Sequence, residues 1–100
     1  KAWPAEIESK IMRYLGIADV AVIGKPHKTM GEVPVAFVVL KDPRLTAADI
    51  QKYIKPSLLK HEFPREIFFV ETLPRNPSGK ILRRMLREKL LEMRGHAESD

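Results

Sequence analysis

Apolar positions along the chain fall into six groups, and the spacing within each predicts an element. Ile7, Ile11, Tyr14 and Leu15 share one face of a helix over residues 4–15, with Pro4 suited to its first position and Gly16 to its stop. Val20 to Gly24 and Val33 to Leu40 are β-branched runs that read as strands, and Ile67 to Val70 is a third, shorter one. These runs are continuous rather than alternating, which predicts a sheet covered on both faces. Residues 25–32 join the first two strands as a connection with turn residues at both ends. Pro34 falls near the start of its strand, where a missing donor does least harm. Thr46 and Asp49 make a weak capping-box match ahead of Ile50, Tyr53, Ile54 and Leu58, and Pro56 predicts a break near Lys55. After the third strand, Pro74 and Pro77 forbid further extension. Ser78 then suits the N-cap of a last helix bearing Ile81, Leu82, Met85, Leu86, Leu90 and Met93. The expected fold is α+β, a small three-stranded core sheet flanked by helices in the order αββαβα. Lys1 to Trp3 and Gly95 to Asp100 are expected to be poorly ordered.

Composition narrows the class. One hundred residues, 44% hydrophobic and 31% charged, suit a single globular domain over residues 1–100. No apolar run approaches the roughly 20 residues of a membrane helix, and the N-terminus does not read as a signal peptide. The absence of cysteine leaves no disulfide framework and fits a cytoplasmic protein without requiring one. His27, His61 and His96 lack ligand spacing, so no metal site is expected. The chain starts almost at a helix, as a domain of a longer protein would.

The net charge of +5 is uneven, since residues 75–100 hold seven Lys/Arg against four Asp/Glu. A basic face suits a phosphate-bearing ligand or a nucleic acid, although any one arginine also suits a solvated helix face. Lys25, His27 and Lys28 offer an anion site without a glycine-rich cradle, and a solvated hairpin end explains them more simply. Glu6 and Glu8 are two apart on a helix and do not face each other, so they read as structural. Lys80 stands out. It follows Ser78-Gly79 and falls in the expected first turn of the last helix, the unfavourable end for a cation. A functional ammonium and a solvated surface lysine both remain open at this point.

Leu73-Pro74-Arg75-Asn76-Pro77-Ser78-Gly79-Lys80-Ile81-Leu82-Arg83-Arg84 resembles the C-terminal signature of the adenylate-forming enzymes. These are the acyl- and aryl-CoA synthetases, firefly-type luciferases and peptide-synthetase adenylation domains. Pro4-Ala5-Glu6-Ile7-Glu8, the run from Asp19 to Gly24 followed by Gly31-Glu32 and Val35 to Val39, and Phe63-Pro64-Arg65 resemble further family segments in the same order. AMP-forming acyl-CoA synthetases are the most similar subclass.

The resemblance implies a mobile C-terminal domain that works with a large N-terminal domain of the same enzyme. That enzyme would use ATP, Mg2+, a carboxylic acid and coenzyme A, and the small domain alone would hold no cofactor and be inactive. Lys80 falls on the family's catalytic lysine, and Gly79 and Arg83 are candidate nucleotide-binding neighbours. Arg87, one turn further on, either extends the positive field or pairs with surface acids such as Glu88. Glu62 stands where the family often has lysine, which leaves that segment's contact with a phosphate open. The alternatives are a luciferase-like or peptide-synthetase adenylation domain, a basic nucleic-acid-binding α+β module, and a protein-interaction domain that needs no catalytic lysine. No Gly-x-x-Gly clamp or aromatic RNA-binding pattern supports the nucleic-acid reading, and Phe68 and Phe69 read as core.

Overall fold

The computed structural model describes residues 3–98. Its elements are α1 (Trp3–Met12), β1 (Ile17–His27), β2 (Gly31–Leu40), α2 (Ala47–Ile54), β3 (Glu66–Phe69) and α3 (Arg83–Glu98). Single 3-10 turns at Lys55–Ser57 and Lys60–Glu62 follow α2. The α+β class and the order αββαβα are as the apolar pattern predicts. The expectation of disorder for Lys1, Ala2, Ser99 and Asp100 lies outside the described residues; Trp3 is helical, and α3 continues through Gly95 to Glu98.

The sheet is mixed, in the order β1-β2-β3. β1 and β2 are antiparallel with Val22 opposite Ala36, whereas β2 and β3 are parallel with Phe37 opposite Phe68. A parallel return requires a crossover, and α2 provides it. Each apolar strand serves two cores. Val20, Val22, Ala36 and Val38 face Ile7, Ile11, Ile50 and Ile54 of α1 and α2. Ala21, Ile23, Val35 and Phe37 face Leu73 and the α3 residues Leu86 and Leu90. The sheet is therefore a middle layer, which is why its strands carry no polar face.

The end of α1 and the β1–β2 connection differ from the pattern. α1 ends at Met12, and Leu15 is 88% exposed instead of lying on the core face. Tyr14 has also left the helix, yet it packs on the first core and stacks on Tyr53 at 4.5 Å. The connection after β1 is far shorter than residues 25–32, because the hairpin continues through Lys25, Pro26 and His27 and turns over Lys28–Met30. Proline is tolerated there because β1 is an edge strand. Pro34 sits opposite Gly24, one residue before β3 begins to pair at Val35, so its missing N–H leaves no ladder bond unmade. The break near Lys55 and the capping box of Thr46 and Asp49 are both present.

The outer edge of β1 is closed by side chains. Val22 turns its N–H and carbonyl away from β2; Glu8 Oε2 accepts the N–H at 2.7 Å, and Arg83 Nη1 donates to the carbonyl at 2.7 Å. Arg83 Nη1 also meets Glu8 Oε2 at 2.6 Å. One clasp thus ties α1, β1 and the start of α3, and it leaves Val22 no free backbone group for another strand at that edge. Val20 is closed in a smaller way, by the carboxylate of Asp19.

Candidate active-site loop

β3 leads by way of the buried Leu73 into a closed loop that carries the candidate residues. Leu82 N donates to Pro74 O at 2.9 Å, and Arg75 bridges Ile81 as a single antiparallel step. Inside that step Asn76 is the hub. Its N–H donates to Lys80 O at 2.9 Å, and its carbonyl accepts from Gly79 N at 2.9 Å. Its side-chain Oδ1 accepts from Ser78 N at 3.1 Å, Ser78 Oγ at 2.8 Å and Lys80 N at 2.9 Å. Both peptide groups of Lys80 are therefore held by one residue. Arg75 secures the loop from outside, donating to Gly79 O at 2.6 Å and to Asp19 Oδ2 at 2.7 Å.

These bonds correct the expected helix start. Ser78 is not an N-cap, and Lys80 is not in a helical turn, since α3 begins at Arg83. The physical reason is competition: an asparagine side chain that takes the following N–H groups offers the backbone an alternative to helix. Gly79, at φ +91°, also holds a conformation that no helix contains and that glycine adopts at little cost. A Cβ at Gly79 would meet nothing within 4 Å, so the requirement is conformational rather than spatial.

The side chain of Lys80 is left free. The residue is exposed, and its ammonium makes no ion pair or hydrogen bond among the described residues. With Asn76, Leu82, Arg84 and Met85 it lines a shallow open depression. Arg83 behaves in the opposite way. Its guanidinium is committed to Glu8 and Val22 and does not pair with Glu88. Lys25 is also committed, with Nζ 2.6 Å from Glu66 Oε1, while His27 Nδ1 accepts the N–H groups of Thr29 and Met30. Glu62 is buried, and its Oε1 accepts Leu59 N at 2.9 Å, a local brace. Phe68 is partly buried on the second core, with its ring centroid 5.5 Å from that of Phe37, whereas Phe69 is 42% exposed and is not a core residue. Sequence reasoning missed Arg75, Asn76 and Asp19. Asn-Pro-Ser-Gly is a turn signature, and it was the available signal for Asn76. The Arg75–Asp19 pair spans 56 positions and left no local signal.

Residues 6–80 match the family described as the AMP-binding enzyme C-terminal domain. A 4-coumarate–CoA ligase of Humulus lupulus is 44% identical over 89 residues, which are 88% of this chain and 16% of that protein. ATP-bound MatB from Rhodopseudomonas palustris superposes with a TM-score of 0.79 at 38% identity, over 86% of this chain and 17% of that one. The o-succinylbenzoate CoA synthetase of Bacillus subtilis, solved with its acyl-adenylate intermediate, gives a TM-score of 0.78 at 38% identity over 83% and 17% of the two chains. The chain thus spans under a fifth of the length of these relatives, and over the matched residues it belongs to the AMP-binding enzyme C-terminal domain family.

Proposed function

We propose that the chain is the mobile C-terminal domain of an AMP-forming carboxylate–CoA ligase, and that Lys80 is its catalytic cation. The observation that carries this reading is the contrast within one residue, a fixed backbone and a free, exposed ammonium. In the first half-reaction a carboxylate oxygen attacks the α-phosphorus of ATP, and the bond to pyrophosphate breaks. Two anions must approach, and a cation between them lowers repulsion and holds the in-line geometry. A compact ammonium on a four-carbon stem can reach both the carboxylate and a nucleotide oxygen. In the second half-reaction the thiol sulfur of coenzyme A attacks the acyl carbonyl, its proton is lost, and AMP leaves. The domain rotates between the two steps so that another face meets the large domain.

Gly79 lets the loop present Lys80 close to the nucleotide. Arg83 supports the site from behind, tying the base of the loop to Glu8 and Val22. The reading assigns the Mg2+ that accompanies ATP to the triphosphate and the large domain. No helix is long and apolar enough to cross a membrane among the described residues. The relatives named above act on or bind different acids, so the reading stops at a carboxylic acid.

The test is Lys80→Ala in the intact enzyme. Carboxylate-dependent ATP–pyrophosphate exchange should fall by about 10²–10³-fold, the loss typical of one positioned electrostatic group. Thioester formation from preformed acyl-adenylate should fall far less. An equal loss in both half-reactions would contradict the reading.

A further inference from the structure

We infer that Asn76 is the positioning residue for the Lys80 ammonium, and that its side-chain oxygen sets the rate of adenylate formation without touching substrate. The inference rests on the function proposed for Lys80. Lys80 lies in neither a strand nor a helix, so no regular ladder fixes its Cα. Its N–H ends on Asn76 Oδ1 at 2.9 Å, and its carbonyl accepts from Asn76 N at 2.9 Å. The same Oδ1 takes Ser78 N and Ser78 Oγ, so one amide oxygen gathers three donors from the turn. The position of Asn76 is fixed in turn from its neighbour. Arg75 spans from Gly79 O to the carboxylate of Asp19, at the start of β1.

The consequence is mechanical. A four-carbon side chain amplifies any rotation at its Cα, and a lever without a fixed root does not hold an ammonium between two reactants. Displacement of a reacting or stabilising group by about 1 Å costs about 10²-fold in rate. Loss of the Oδ1 acceptor would free Ser78 N and Lys80 N to seek water or to extend α3 backwards. Either outcome moves the root of Lys80. The ammonium itself remains, so binding of ATP is not the quantity that changes. Asn76 therefore acts on the turnover term through the position of Lys80.

The experiment compares Asn76→Ala, Asn76→Thr and Lys80→Ala in the intact enzyme. Asn76→Ala should lower the maximal rate of ATP–pyrophosphate exchange by about ten- to hundredfold, with KM for ATP and the thioester-forming step within about twofold of the parent. Thr retains an acceptor oxygen that makes the same turn more weakly, so Asn76→Thr should fall between the parent and Asn76→Ala. Amide hydrogen exchange provides the structural readout: the Lys80 and Ser78 amides should exchange faster in Asn76→Ala, while core amides such as that of Phe37 keep their protection. Should core protection be lost in Asn76→Ala, the Thr variant carries the same comparison. Exchange activity at parental level in Asn76→Ala or Asn76→Thr despite faster Lys80 amide exchange, alongside a crippled Lys80→Ala, would overturn this inference alone. Full activity in Lys80→Ala would overturn the function it rests on, and this inference with it.

Discussion

The molecule has two lysine-bearing turns built around a left-handed glycine, and they have opposite designs. Gly31 closes the β1–β2 hairpin at φ +78°, and Gly79 closes the Asn76–Lys80 loop at φ +91°. In the hairpin the cation Lys25 is mostly buried and bound to Glu66, and a histidine nitrogen collects the turn's N–H groups. In the loop an asparagine oxygen collects the N–H groups, and the cation Lys80 makes no ion pair or hydrogen bond among the described residues. The hairpin has the richer local cluster of positive and titratable groups, yet Lys25 is used within the fold, and the exposed Lys28 of the turn has its own N–H held by no side chain among the described residues. On the function proposed, what would set Lys80 apart is not charge density but a fixed backbone joined to an uncommitted side chain.

Arg83 allows the largest stability test of this contrast, since it lies next to the loop but is committed to Glu8. Glu8→Ala removes a part-buried carboxylate that serves both Arg83 and the Val22 N–H. The expected cost is about 2–3 kcal/mol, the range for hydrogen bonds to charged groups, read by urea denaturation of the 100-residue chain. A loss below about 0.5 kcal/mol, the scale of ordinary surface substitutions, would mean that the clasp is ornamental to the fold.

The two glycines provide a matched pair. Neither Cβ would meet an atom within 4 Å, so Gly31→Ala and Gly79→Ala differ in place but not in steric cost. Each should lose about 1–2 kcal/mol for a left-handed alanine. In the intact enzyme only Gly79→Ala should also slow ATP–pyrophosphate exchange. Equal activity in the two variants would remove the distinction between the turns.

The smallest effect belongs to an exposed pair that serves neither turn. Hydrogen bonds from the Arg44 side chain and then from its backbone hold the Asp42 carboxyl below its ordinary value. A depressed acid adds stability that is present above its unfolded pKa and is lost as pH falls through the lower folded value. Asp42→Asn should therefore be slightly less stable than the parent at neutral pH, and the gap should close in strong acid. A gap that widened on acidification would have the wrong sign.

Most of the architecture was legible because each apolar run serves both faces of the sheet, which makes the strands conspicuous. Ile23 and Val22 are adjacent and enter opposite cores, so their run could hardly be a surface strand. Element ends were less legible. Pro26 falls in the expected connection of residues 25–32, yet β1 absorbs it at an edge. Ser78 reads as a cap, yet Asn76 takes the N–H groups that a helix start would have left free. At the site, Lys80 stood out by type and position, while its role and the choice of Gly79 rested on the family resemblance. The Asn76 and Arg75 bonds did not, because hydrogen-bond choice among neighbouring polar groups is decided by loop geometry. The long-range partners of Arg75 and Arg83 are set by the fold, and no local pattern announces them.

On the function proposed, the Lys80 charge serves chemistry while the Lys25 charge serves the fold. This division is tested by the rate of carboxylate-dependent ATP–pyrophosphate exchange per folded molecule in Lys80→Ala and Lys25→Ala versions of the intact enzyme. The account predicts a loss of about 10²–10³-fold for Lys80→Ala and a rate within about twofold of the parent for Lys25→Ala. Equal rates in the two variants, or the larger loss in Lys25→Ala, would contradict it.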